Sequence, residues 1–155
     1  MQAKVVFGFV AMKELSYKLV ESENELRGAF EVRRRVFVEE QGIAEEMDLD
    51  GNDGEALHMV VKDGAEVIGT ARIRFINTKQ AKLERMAVLE GFRRMGIGRA
   101  IAYFIIEELR NRQIEQVVLH AQYGVIAFYK SCGFEQTGLP FTEAGLKHIK
   151  MQRRL

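Results

Sequence analysis

Arg93-Arg94-Met95-Gly96-Ile97-Gly98-Arg99 is the stretch that decides how this chain is read. It follows a strand-like run, Lys82 to Val88, and opens a strongly apolar helical run, Ile101 to Leu109. The first turn of a helix leaves N–H groups without partners, and the helix dipole adds partial positive charge beside them. Gly96 and Gly98 let the main chain approach an anion with no Cβ in the way. A basic, glycine-punctuated strand-to-helix turn therefore suits the phosphates of a nucleotide or cofactor. Two common phosphate loops do not fit. Gly91 and Gly96 have P-loop spacing, but Ile97 and Gly98 stand where Lys and Ser or Thr are required. A dinucleotide fingerprint lacks its third glycine, at Ile101, and its acid on the next strand, near 116–122.

What remains is Arg-x-x-Gly-x-Gly, which alone can reflect packing. A second signal follows some thirty residues later, Ala127-Phe128-Tyr129-Lys130-Ser131-Cys132-Gly133-Phe134, behind a strand-like Val117 to Ala121. The two motifs together resemble the GNAT superfamily of N-acetyltransferases, over about Ser16 to Arg153. The resemblance implies acetyl-CoA as co-substrate and no metal. Its pyrophosphate would lie on the backbone of Arg93, Arg94, Met95, Gly96, Ile97, Gly98 and Arg99. Its pantetheine would run along Met86, Ala87 and Val88 and touch Phe128. Tyr129 is implied as the acid that protonates the departing thiolate.

Acetyl transfer to an amine also needs a base, because an alkylamine of pKa about 10.4 is neutral in only about one molecule in a thousand near pH 7.4. Lys147-His148-Ile149-Lys150-Met151 alternates as a strand does, placing His148 and Lys150 opposite Ile149 and Met151. A lone histidine is often structural. Here Gly145-x-x-His148-Ile149-x-Met151, with the runs 32–41 and 84–88, is similar to the subgroup that includes glyphosate N-acetyltransferases, which implies His148 as base. In that subgroup, arginines matching Arg33 and Arg85 bind substrate anions, and a third falls on Gln122; the alternative for Arg85 is a structural pairing with an acid across the sheet. The anion clamp is incomplete, which favours a monoanionic amine over a dianion.

Composition narrows the class. The 155 residues are 47% hydrophobic and 29% charged, which suits one globular domain. A net charge of +1 gives no general attraction to nucleic acid or an anionic membrane. One cysteine, Cys132, excludes an internal disulfide and fits a reducing, cytoplasmic compartment as a small buried residue. Residues 1–16 read as an N-terminal extension whose apolar run, Val5 to Met12, is too short to span a bilayer. Packing as an extra strand or across another subunit fits this run.

The GNAT-like domain, residues 17–155, reads as α/β (α+β): a mixed central sheet of six to seven strands flanked by helices. Strands are expected at Tyr17 to Val20, His58 to Lys62, Glu66 to Phe75, Lys82 to Val88, Val117 to Ala121, Phe134 to Thr137 and Lys147 to Arg153, with a hairpin through Asp63-Gly64. Ser22-x-x-Glu25 is a capping box starting a helix to about Glu40. Arg33 falls on that helix's apolar stripe and needs a partner there, either a structural carboxylate or an acceptor. Ile97, Ile101, Ile105 and Leu109 share one face of the long helix. Residues 42–55 read as a solvated acidic loop, since Asp48 to Asp53 fails the calcium-loop register. His58 and His120 read as surface or structural residues.

The function expected is direct transfer of an acetyl group to a small-molecule amine. Alternatives are a non-catalytic acyl-CoA-binding or sensor module, and a protein or peptide amine acetyltransferase. The resemblance also allows a homodimer.

Overall fold

The computed structural model describes residues 15–155 and the backbone of two short strands, β1 (Val5–Phe7) and β2 (Val10–Met12). These two pair only with each other, antiparallel. Ser16, expected to end an extension, already belongs to the main sheet, and the expected packing of the rest of residues 1–16 as an extension otherwise lies outside the described residues.

The main sheet holds seven strands: β3 (Ser16–Leu19), β4 (Leu57–Asp63), β5 (Glu66–Phe75), β6 (Gln80–Val88), β7 (Gln116–Gln122), β8 (Glu135–Glu143) and β9 (Leu146–Arg154). Their order is β3-β4-β5-β6-β7-β9-β8, antiparallel except for the β6–β7 pair. A parallel neighbour needs a crossover, and helix α3 (Ile97–Asn111) supplies it. Ile97, Ile101, Ile105 and Leu109 of α3 are 3%, 0%, 1% and 0% exposed, so the expected apolar face is the one that seals the core. Among the described residues no helix is long and apolar enough to cross a membrane.

On the other side lies α1 (Glu23–Arg33), which packs against β4, β5 and β6. Ser22 caps it, its hydroxyl accepting from the Glu25 N–H at 3.2 Å, while the Glu25 carboxylate accepts from the Glu21 N–H at 2.9 Å. Gly28 permits a close approach to β5: a Cβ there would stand 2.5 Å from Val67 Cγ2. The helix continues to Glu40 as expected, but Arg34–Glu40 winds as a π-helix, with the Gln41 N–H donating five residues back to Val36 at 3.2 Å.

Two irregularities shape the functional end. The β5–β6 register shifts between Thr70 and Arg72, and opposite it Arg85 takes φ 54, a left-handed conformation rare for a residue with a Cβ. Pairing between β6 and β7 runs only from Gln80–Gln116 to Leu83–Leu119. Beyond this bulge the two strands part, although β6 continues to Val88. The second irregularity sits in β8, where the register against β9 shifts between Thr137 and Phe141. Gly138-Leu139-Pro140 interrupts the pairing, and β8 resumes to Glu143. The expectation that this strand ends at Thr137 is therefore too short. Glycine and proline there mark a bulge rather than an end.

Candidate active site

A cavity of about 1100 Å³ occupies the opening between β6 and β7. One wall is Met86, Ala87 and Val88; another is the turn into α3, including Arg93, Arg94, Gly96, Ile97, Gly98 and Arg99. Phe128 and Tyr129 of α4 (Ile126–Ser131), with Arg85, Gln122 and His148, also line it. One space thus gathers most of the residues the sequence singled out.

The turn into α3 has the features of an anion cradle. Gly96 precedes the helix at φ 77 with no side-chain cap, and Arg94 takes φ 63. Ala100 donates back to Gly96 at 3.0 Å, and the N–H groups of the first turn before it have no partner within the helix. A Cβ on Gly98 would stand 3.3 Å from Phe128 Cζ, which ties this glycine to the aromatic motif thirty residues on. Arg93 is tethered: its Nε donates to the Val88 carbonyl at 2.9 Å and its Nη2 to Glu40 at 2.9 Å. Arg99 donates to the Tyr103 hydroxyl at 3.1 Å. Met95 points away, 53% exposed and off the cavity wall, so its side chain does not join the cradle.

Tyr129 is partly buried, its ring edge-on to Phe128 at 5.0 Å and Phe134 at 5.8 Å. Its hydroxyl donates to Met86 Sδ at 3.8 Å, a weak contact that leaves it free to serve a better acceptor. Burial first, and then the neighbouring Cys132, pushes its pKa well above 10.0, so the phenol keeps its proton at neutral pH. Cys132 itself is 1% exposed, as a packing residue should be.

His148 is 5% exposed and stands opposite Gln122 of β7. Its Nδ1 lies 2.8 Å from the Leu146 carbonyl. A carbonyl only accepts, so Nδ1 carries the hydrogen and the neutral ring keeps its lone pair on Nε2. Gln122 donates to Gln41 Oε1 at 2.8 Å, bridging β7 to the end of the π-helix. His120, expected to be a surface or structural residue, also lines the cavity, and its Nδ1 donates to Glu143 Oε1 at 3.0 Å. His58 does prove structural, with its Nε2 donating to the Asp53 carbonyl at 2.9 Å.

Arg33 does not reach the cavity. It is 0% exposed; its Nε donates to Asp48 at 3.1 Å, Nη1 to Asp53 at 2.7 Å, and Nη2 to the Asp48 carbonyl at 2.8 Å. Those carboxylates come from the acidic loop, which is no solvated segment. It holds a short helix, α2 (Glu45–Asp48), and folds back over three arginines. Arg72, also 0% exposed, takes Asp50 at 2.8 Å, Asp53 at 3.0 Å and Glu84. Arg85 reaches Asp48 at 3.0 Å and Asp50 at 3.1 Å, so its charge is already answered. Sequence missed the extent of this cluster because its members are far apart along the chain; the signals were Arg33 on an apolar stripe and the alternative of a structural acid partner for Arg85.

Glu84 sits at the centre of that cluster. Burial alone would raise its pKa, but hydrogen bonds from Arg74, Lys82 and Arg72 outweigh burial and hold it at about 2, below the ordinary 4.5. A depressed folded-state pKa means the unfolded chain binds more protons, so this stabilisation is full above pH 4.5 and is lost as pH falls toward 2. Thermal unfolding between those limits should show Glu84→Gln losing less stability on acidification than the parent protein.

Residues 19–155 match the family described as acetyltransferase (GNAT) domain. The uncharacterized N-acetyltransferase YjcF of Bacillus subtilis is 32% identical over 136 residues, covering 87% of this chain and 96% of that protein. Among solved structures, Escherichia coli ElaA superposes with a TM-score of 0.80 at 26% identity, over 90% of this chain and 99% of that one. A GNAT family acetyltransferase of Elizabethkingia anophelis, solved with acetyl-CoA bound, shares the fold with a TM-score of 0.74 at 16% identity, over 91% and 98% of the two chains.

Proposed function

This chain belongs to the GNAT acetyltransferases, and from that premise we propose that it moves an acetyl group from acetyl-CoA directly to the amine of a small molecule. The observation that carries the reading is the meeting of Tyr129, His148 and the α3 cradle on one cavity. Acetyl-CoA supplies an activated thioester; the amides from Arg94 to Arg99 would hold its diphosphate, and Met86 to Val88 with Phe128 its pantetheine. The unpaired length of β6 supports that placement, since a polar chain can add to it as a strand does. The fold neighbour with acetyl-CoA bound adds support.

His148 takes a proton from the acceptor amine on Nε2, the nitrogen its Leu146 bond leaves free. Tyr129 gives its proton to the departing sulfur; the raised pKa keeps that proton available. Arg85 and Gln122, both on the cavity wall, would border the acceptor. The single cysteine supports a cytoplasmic setting.

Release of CoA in the presence of a panel of primary amines tests the proposal. His148→Ala should lower kcat/KM about 100-fold below pH 7.5, where neutral amine is scarce, and progressively less at higher pH. An unchanged pH profile would remove His148 as the base. Tight acetyl-CoA binding with no turnover on any amine would leave a binding module instead.

A further inference from the structure

Glu143, at the end of β8, was not singled out by the sequence, yet it lines the same cavity. Its Oε1 accepts from His120 at 3.0 Å, and its Oε2 lies 3.8 Å from His148 Nε2. Because the His148 Nδ1 carries the hydrogen, that Nε2 presents a lone pair. In the neutral ring, a lone pair and a carboxylate oxygen thus face each other with no hydrogen between them. Two acceptors at this spacing call for one donor with at least two hydrogens, and a nitrogen about 2.8 Å from each closes the gap.

We propose that Glu143 and His148 together hold the ammonium of the acceptor, a protonated primary amine, before His148 deprotonates it. The acceptor nitrogen donates one hydrogen to Glu143 Oε2 and another to His148 Nε2. The second is the proton transferred, leaving a neutral amine with its electron pair free and an imidazolium against the Glu143 carboxylate. His120 keeps that carboxylate turned inward through Oε1.

The surrounding charges narrow the substrate class. Arg74 donates to Glu84 at 2.7 Å, Lys82 lies 3.0 Å from Glu84, and Arg85 is spent on Asp48 and Asp50. Each of these cations thus has a carboxylate partner, although Arg72, Arg74 and Lys82 share Glu84. Glu143 is the acid there whose partners are imidazoles, and it is 47% exposed. The Glu143 carboxylate suits a cationic amine, and the arginines that suggest a monoanionic one are already engaged by Asp48 and Asp50.

The inference rests on the acetyl-transfer reading, and one assay separates the two. Hexylamine and acetyl-CoA are the probes, with Glu143→Gln and Glu143→Asp compared to the parent protein. Losing a charge-assisted hydrogen bond should raise the hexylamine KM about tenfold or more in Glu143→Gln, with the acetyl-CoA KM within about twofold. Glu143→Asp should recover most of the loss. A merely structural Glu143 would move both KM values together or lower the unfolding temperature. Parent turnover with an unchanged hexylamine KM in Glu143→Gln would overturn the ammonium site and leave acetyl transfer standing. No CoA release by the parent protein with any primary amine would overturn both.

Discussion

Tyr129→Phe should lower kcat by about 100-fold or more, since positioned general acids contribute 10²–10⁴ to such steps. A thiol of pKa about 8.5 leaves poorly as a bare thiolate from a partly dry cavity, so a donor at the sulfur counts most in the transition state. The substitution is clean because the ring survives. Phe keeps the edge contacts to Phe128 and Phe134, and among the described residues the one hydrogen bond lost is the 3.8 Å contact to Met86. The unfolding temperature and the acetyl-CoA KM should therefore change little. Since the phenol titrates well above 10.0, the parent enzyme should show no fall in kcat up to pH 9 from loss of this proton. A variant that turns over at the parent rate would strip Tyr129 of its role.

The largest effect on stability is expected at Arg33. Arg33→Met removes a guanidinium that is 0% exposed and strands part of the bonding of Asp48 and Asp53. Breaking a buried ion pair from one side costs about 3–5 kcal/mol, a large part of the 5–15 kcal/mol that holds a domain together. For a chain of 155 residues that is a drop of roughly 10 °C in unfolding temperature, measurable by circular dichroism. Arg85 and Arg72 still engage the two aspartates, which puts the loss at the lower end of that range. Well below the unfolding temperature the amine KM should stay within a few-fold of the parent value. A variant of normal stability with a greatly raised amine KM would return Arg33 to the acceptor site.

These two residues also show what a one-dimensional reading can reach. The cradle, the long helix and the aromatic motif were legible because each is local: glycines at fixed offsets, an apolar period and a short turn. Tyr129 and His148 came from the motifs that carry the family resemblance, and both line the cavity. Arg33 was legible only as a charge on an apolar stripe. Which carboxylate meets it depends on a loop that returns fifteen to twenty residues later. Glu143 was hidden for another reason. Gly138 and Pro140 look like the end of a strand, and only the observed β8–β9 register carries the chain past them to stand beside His148. The β6 bulge at Arg85 left no trace in the alternation, yet it opens the sheet where the cavity lies.

The central claim is that the amides at the start of α3 hold a diphosphate and thereby aim a thioester past Tyr129. Titration calorimetry with acetyl-CoA tests it directly. The parent protein should release heat with a Kd in the micromolar range, whereas Gly98→Glu, which pushes a carboxylate into the cradle and a Cβ toward Phe128, should show none at millimolar ligand. No heat from the parent protein, or equal binding by Gly98→Glu, would contradict the account.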